Sequence, residues 1–252
     1  MITQLQTPLK VMLIGDSCYD VYHYGKINRI SPEAPVPIFD ELRQERKLGM
    51  SQNVYQNMKN FGIDVTLVTK FSDEKHRYID EKSMQQVIRV DIALDEKSEV
   101  IDFSDFKDYD VIVISDYDKG FITYEMIKNL RKEYDGCIFI DTKKNDLHQM
   151  EGCILKINDC EYSKLVSKCS DMIITYGGNK VVWNDEVFHP PKVNVHDVCG
   201  AGDTFLAGLV YGYNIYSGNI SKAIQFAMEA ATISVKHFGV YAPSLEEINN
   251  AT

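Results

Sequence analysis

Asp197-Val198-Cys199-Gly200-Ala201-Gly202-Asp203, followed without a break by Thr204-Phe205-Leu206-Ala207-Gly208-Leu209-Val210, sets a glycine-rich turn and a carboxylate at the head of a segment that is apolar on every side. Such a segment reads as a buried helix, whose first N–H groups have no partner within the helix. Glycines let a backbone approach an anion closely, and the helix dipole adds roughly half a positive charge there. The turn is therefore expected to hold a phosphate-like group. A carboxylate beside such an anion needs a reason to be present, and Asp203 reads as a general base that takes a proton from an attacking hydroxyl. It reads equally as an Asp N-cap closing a glycine loop, since Asp is a preferred capping residue.

Outward from this turn, apolar runs of strand length fall at 11 to 15, 65 to 69, 111 to 115, 137 to 141, 153 to 157 and 172 to 176. Helical periodicity marks 51 to 61, 123 to 134, 203 to 216 and 221 to 238. Continuous apolar strands separated by helices imply a mostly parallel sheet covered on both faces, a doubly wound α/β fold. The strands end in polar residues: Gly15-Asp16, Ser115-Asp116, Asp141-Thr142, Lys156-Ile157-Asn158 and Thr175-Tyr176-Gly177-Gly178. Ligands of such sheets bind beyond the carboxyl ends of the strands, although some of these residues are expected to be ordinary turns. Segments 21 to 40 and 75 to 92 fit the sheet poorly, and Pro32, Pro35 and Pro37 restrict the first to edge or irregular extended structure. Both read as extended strands of a lid inside one domain spanning 1 to 252.

The bulk properties exclude more than they select. A net charge of -10 argues against a nucleic-acid binder, whose affinity needs a basic surface, so any phosphate site must be built locally from amides and a few cations such as Lys119, Lys143 or Lys156. No apolar run reaches membrane-spanning length, and Met1 to Lys10 has neither a charged leader nor an apolar core. A cytoplasmic protein is expected. The six cysteines show no C-x-x-C pairing and read as reduced, mostly buried thiols.

The segment 197 to 203 resembles the signature of the ribokinase-like (PfkB) carbohydrate kinases. Gly15-Asp16-Ser17-Cys18-Tyr19-Asp20, Tyr24-Gly25, and Arg29-Ile30-Ser31-Pro32-Glu33-Ala34-Pro35-Val36-Pro37 resemble the start of the bacterial heptose 7-phosphate kinases, the kinase part of the ADP-heptose synthesis enzyme. Gln85-Gln86-Val87-Ile88-Arg89-Val90-Asp91, Ser115-Asp116-Tyr117-Asp118-Lys119-Gly120 and Ile140-Asp141-Thr142-Lys143 resemble further blocks of that subfamily, in the same order. The resemblance implies a ribokinase-like fold with a small, reduced β lid. It also implies ATP and Mg²⁺ as cofactors, and transfer of the γ-phosphoryl group to the anomeric hydroxyl of heptose 7-phosphate. Another sugar or sugar phosphate is the alternative, as is a sugar-phosphate or nucleotide-binding module without turnover. A homodimer through the lid strands is implied too, with no nucleic-acid or membrane partner.

On the same resemblance, Asp203 is the base and Gly200, Ala201 and Gly202 supply the anion hole. Asn158 and Glu161 match an N-x-x-E motif that places Mg²⁺ through water, though Asn158 also reads as the cap of a helix that Glu161 opens. Lys156 points either to solvent or at the phosphates. Thr175, Gly177 and Gly178 approach the nucleotide or form a plain hairpin turn. Asp20, Gly49 and Asn53 match positions that hold sugar hydroxyls, with Met50 where the second glycine of a Gly-Gly turn is usual. Asp116 and Lys119 belong to a matching block, and Arg29, Arg77 and Arg89 are candidate cations for a substrate phosphate, each with a surface salt bridge as its alternative. Cys199 stands where the family has Thr. The chain is short between Asp73-Glu74 and Arg77 and from Glu161 to Asp171, which on the resemblance implies a trimmed lid, and with its end soon after Ser244 to Ile248 the adenylyltransferase part of some relatives is expected to be absent.

Overall fold

The computed structural model describes residues 8–94 and 106–251, so residues 1–7, at the amino terminus read above as lacking a leader, lie outside the described residues. The chain divides into two compact units, one built from residues up to Asp16, Met50–Lys70 and Ser98 onward, the other from Ser17–Gly49 and Phe71–Lys97. Strands β1 (Lys10–Ile30) and β3 (Asp64–Asp80) contribute to both. No helix among the described residues is long and apolar enough to cross a membrane.

In the first unit, β1 pairs in parallel with β5 (Val111–Asp116), which pairs in parallel with β6 (Cys137–Thr142), then β7 (Ile154–Asn158) and β8 (Met172–Thr175). β9 (Val181–Trp183) and β10 (Glu186–Phe188) extend that edge antiparallel, and β3 lies on the far side of β1. The unbroken apolar runs follow from burial on both faces. Val11, Leu13, Val111 and Val113 face a core shared with α1 (Ser51–Asn60), α4 (Ala201–Ile215), α5 (Ile220–Ser234) and Ile248 of α6 (Leu245–Ala251). Met12, Ile14, Ile112 and Ile114 face the opposite core, with Ile127 and Leu130 of α2 (Tyr124–Glu133).

Two expectations about helices need correction. α5 ends at Ser234 rather than 238, because the Val235 carbonyl accepts from the backbone of His196 and Asp197 and the chain is drawn into a turn there. α4 begins at Ala201, two residues before Asp203, with Gly200 at its N-cap in a left-handed conformation (φ 78°). α4 and α5 pack at close range. A Cβ on Gly212 would lie 2.8 Å from Ala223 Cα, and one on Gly208 3.0 Å from Ala227 Cα. Gly212→Ala is expected to cost about 1–3 kcal/mol, because the obstacle is backbone and cannot rotate away. Thermal unfolding should then start roughly 2–4 °C lower per kcal/mol lost, and an unchanged melting temperature would show that the helices can separate.

The second unit is a β structure formed by the distal part of β1, β2 (Pro37–Met50), the distal part of β3 and β4 (Gln85–Ala93). Its strands are longer than the segments 21 to 40 and 75 to 92. β2 runs on to Met50, and β3 reaches Asp80 before β4 returns antiparallel to it. Pro32 and Pro35 lie in residues 31–36, outside the strands, and Pro37 opens β2, a first-residue position where a missing donor is tolerated. The six cysteines are all free thiols, and burial pushes Cys137 and Cys169 up to about 11 and Cys153 to about 12, which keeps them protonated.

Candidate active site

The turn before α4 is shaped by Asp197, whose Oδ1 accepts from the Cys199 amide and Oδ2 from the Gly239 amide, both at 2.9 Å. Gly200 can hold φ 78° without a Cβ penalty, and the first helical hydrogen bond is made by Thr204 N to the Gly200 carbonyl at 3.0 Å. The amides of Gly202 and Asp203 therefore precede the internal ladder of the helix.

Asp203 is not the N-cap. It is the third helical residue, and its carboxylate accepts from side chains rather than from its own helix: Asn53 Nδ2 reaches Oδ2 at 2.9 Å and the Tyr117 hydroxyl reaches Oδ1 at 2.9 Å. Burial pushes its pKa up to about 6; Asn53 opposes this, Asp141 adds to it, and Tyr117 and Lys156 oppose it. An ionisable carboxyl poised near neutrality suits a base. Asn53 on α1 is itself fixed by its contact with Asn57, so its amide group is committed to Asp203 and the Gly200 carbonyl.

A cavity of about 770 Å³ opens at this turn, within the usual range for small-molecule sites. Gly200, Ala201, Gly202 and Asp203 line it, together with Lys156, Asn158, Thr175, Gly177 and Gly178, so nine of the sequence candidates converge. Lys156 is buried and donates to Asp141 Oδ2 at 2.6 Å, which resolves its direction: inward, with Gly202 beside its ammonium. Gly177 and Gly178 form the turn between antiparallel β8 and β9 and also face the cavity, so both readings of these glycines hold.

Glu161 does not line this cavity. Asn158 and Glu161 form a capping box on the short helix α3 (Asp159–Tyr162), Asn158 accepting from the Glu161 amide and the Glu161 carboxylate accepting from Asn158 N at 2.7 Å and Nδ2 at 2.9 Å. The remaining reach of Glu161 Oε1 goes to the Lys143 ammonium. Burial works against the Lys143 charge, but Asp141 and Glu161 outweigh it and hold its pKa above the ordinary lysine value. Among the described residues, no three His, Cys, Asp or Glu side chains gather as a protein-held metal centre. Magnesium on nucleotide phosphates keeps several waters and takes few protein ligands, so this donor set fits a cation held through water, and direct ligation by Glu161 would require breaking the capping box.

Asp116 and Lys119 are not among the cavity-lining residues either. Asp116 is buried at the end of β5, where it accepts from Thr142 Oγ1 at 2.7 Å and from the Asp118 amide at 2.9 Å, and burial raises its pKa. In the second unit, Arg77 donates twice to Asp20 Oδ1, at 3.1 and 2.8 Å, joining two substrate candidates in one partly buried pair. A Cβ on Gly49 would fall 2.2 Å from Asp20 Oδ2, so this glycine makes room for that carboxylate. Arg89 pairs with Asp91 across two residues of the exposed strand β4, and Arg29 is exposed. Met50, at the usual glycine position, holds φ 62° at the N-cap of α1: the glycine-like backbone persists although the residue is not glycine.

Tyr117, Asp141 and Lys143 also line the cavity, as do Pro190, Pro191 and Val193 after β10. The first three stand at strand ends; Lys143 is already a candidate cation in the sequence, while Tyr117 and Asp141 are marked there only by their place in strand-end blocks. The proline segment carries no chemistry that would mark it in a sequence.

Residues 155–248 match the model of the pfkB family of carbohydrate kinases. The chain is 30% identical to the bifunctional protein HldE of Nitratiruptor sp., over 95% of this chain and 64% of that protein, so it spans less than two thirds of that relative's length. Among solved structures it is similar to a ribokinase from Thermotoga maritima (TM-score 0.70, 16% identity, 96% of this chain and 99% of that one). It is similar as well to Arabidopsis thaliana ribokinase in complex with ribose and ATP (TM-score 0.72, 12% identity, 97% and 99%). At these identities the structural likeness establishes the ribokinase-like fold.

Proposed function

From a chain that carries a PfkB carbohydrate kinase domain on a ribokinase-like fold, we propose an ATP-dependent sugar kinase whose acceptor is a sugar phosphate, in the first instance the anomeric hydroxyl of heptose 7-phosphate. One observation carries the reading: a buried carboxylate, free of capping duty and poised near neutrality, adjoins helix-start amides in a cavity of nucleotide size. Asp203 takes the proton of the acceptor hydroxyl, whose oxygen bonds to the γ-phosphorus while the bond from that phosphorus to the ADP oxygen breaks. The amides of Gly200 and Gly202 and the Lys156 ammonium face the charge on the transferring group, while the Ala201 amide, which donates to the Val198 carbonyl at 3.3 Å, shapes the turn. Asn158, Thr175, Gly177 and Gly178 hold the nucleotide. Mg²⁺, when bound through water near Asn158 and Glu161, would supply charge neutralisation on the phosphates.

Asn53 is proposed to serve both the base and the sugar. Asp20, Gly49, Arg29, Arg77, Arg89, Asp116 and Lys119 remain proposed substrate contacts, and the Arg77–Asp20 pair is the strongest of them because Asp20 is buried, Arg77 is partly buried and the two are mutually oriented. The resemblance to heptose 7-phosphate kinases supports the choice of sugar, and a cytoplasmic location accompanies it. The test is ADP release by the purified chain with ATP and Mg²⁺ against heptose 7-phosphate and a panel of other phosphorylated and free sugars. Release with heptose 7-phosphate above all others is expected. A different best acceptor would replace the sugar, and no release above the sugar-free blank would leave a binding module.

A homodimer through the β strands of the second unit is part of the proposal. β4 is exposed at every position, with Val87, Ile88, Val90 and Ile92 between 40% and 55% accessible, and Ile30 and Val36 are at 61% and 50%. Exposed apolar edge strands are templates for pairing with another chain. Ile30→Glu or Val36→Glu is expected to shift light scattering from dimer to monomer, and a wild-type monomer at working concentration would remove the dimer.

A further inference from the structure

Asp203 has a second donor besides Asn53, and nothing in the base reading requires it. The Tyr117 hydroxyl meets Asp203 Oδ1 at 2.9 Å, from the loop that follows β5. Tyr117 is anchored on both sides of its Cα: its own amide donates to Asp16 Oδ2 at 2.7 Å, and the next amide, of Asp118, donates to Asp116 Oδ1 at 2.9 Å. Asp16, within β1, and Asp116, at the end of the neighbouring strand β5, are buried carboxylates, and burial pushes Asp16 up to about 6, with Asp116 adding to it. Two buried acids thus hold the backbone from which one phenol reaches the base.

We propose that Tyr117 is a positioning residue for Asp203: its hydroxyl fixes the plane of the carboxylate and sets the pH above which that carboxylate can accept a proton. The proposal rests on Asp203 being the base of phosphoryl transfer. A hydrogen bond donated to the charged form of a carboxyl favours that form. With Asn53 on Oδ2 and Tyr117 on Oδ1, each oxygen keeps a lone pair for the incoming proton while the group cannot rotate. The other charged groups around Asp203 are Asp141 and Lys143 at the end of β6 and Lys156 on β7, and Tyr117 also carries the Lys143 ammonium 5.4 Å from its ring centroid.

Tyr117→Phe removes one oxygen and keeps the ring, so the fold should persist with a melting temperature close to wild type. Two measurements on the full chain decide the matter: the pH titration of the Asp203 carboxyl carbon by NMR without ligands, and the pH profile of ADP release with ATP, Mg²⁺ and heptose 7-phosphate. The expected result is a titration midpoint higher by about one pH unit, with the acid limb of the rate profile moving equally. Below that limb the rate should fall about tenfold, with a smaller loss on the alkaline plateau. A midpoint that overlays wild type, or a rate lowered by one factor at every pH, would overturn the proposal and leave Tyr117 a structural residue. If the wild-type chain transfers phosphoryl to no acceptor, the kinase reading fails separately, and the NMR midpoint still decides whether Tyr117 governs Asp203.

Discussion

Asp203→Asn is expected to give a folded, nucleotide-binding protein whose turnover is lower by about 10²-fold or more, the usual scale for removing a general base. The substitution is well matched to the site. The amide oxygen can still accept from Asn53 Nδ2, and the new NH₂ can donate to the Tyr117 oxygen, so neither neighbour is left unpaired. The variant should also be more stable than wild type at neutral pH. Asp203 is raised from 3.8 to about 6 chiefly by burial, so its protonated form is the one the fold prefers. The stability it contributes is fully present below about 3.8 and is lost as pH rises through about 6. That window corresponds to roughly 3 kcal/mol at most, which the uncharged amide would recover. Chemical denaturation at pH 7 and steady-state kinetics check the two halves together. An unchanged kcat would remove the base assignment, and an unchanged or lower stability would show that the charge is better solvated in the cavity than its burial implies.

Gly200→Ala should be the most damaging small substitution in the turn. The added Cβ meets two obstacles: φ 78° is unfavourable for any residue with a side chain, at roughly 1–2 kcal/mol, and the methyl would lie 2.5 Å from Asn53 Nδ2. Asn53 cannot retreat cheaply, because its oxygen is held by Asn57 and its nitrogen by Asp203. Displacing it strips one donor from the base and disturbs the amides that would face the phosphoryl group. A fall in kcat of about tenfold or more is expected, with loss of stability in thermal unfolding. Wild-type kcat with only a lower melting temperature would show that the base does not depend on the placement of Asn53.

Much of the fold was legible because burial on two faces leaves a plain trace. Runs such as Val11 to Ile14 and Val111 to Ile114 send alternate residues into two different cores, so every position must be apolar, and the strands at 111, 137, 154 and 172 begin within a residue of the apolar runs. The strands of the second unit were less legible. β1 and β3 continue past the point where their apolar runs stop, because their distal parts mix polar residues with a small buried cluster of Tyr22, Tyr24 and Ile79 that leaves no continuous apolar run. The end of α5 was not readable either, because the helical pattern continues through 238 while the Val235 carbonyl is taken by His196 and Asp197, far earlier in the chain.

At the site, the sequence by itself determined which chemical groups are present: the Gly200 to Asp203 turn, Asn158 with Glu161, Lys156, and the glycines after β8. These are short-range signals, readable because a turn, a cap or a helix start is built by neighbours in the chain. Only the tertiary structure decided what each group is committed to. It released Asp203 from capping and gave it Asn53 and Tyr117, partners 150 and 86 residues away. It turned Lys156 inward onto Asp141, closed Arg77 onto Asp20, and tied Glu161 into its own capping box with Lys143. The reason is one of range: a side chain's identity sets what it can bond to, but its protonation and partners depend on burial and on groups that only the packing of β1, β5, β6, β7 and the helices around them brings within 3 Å.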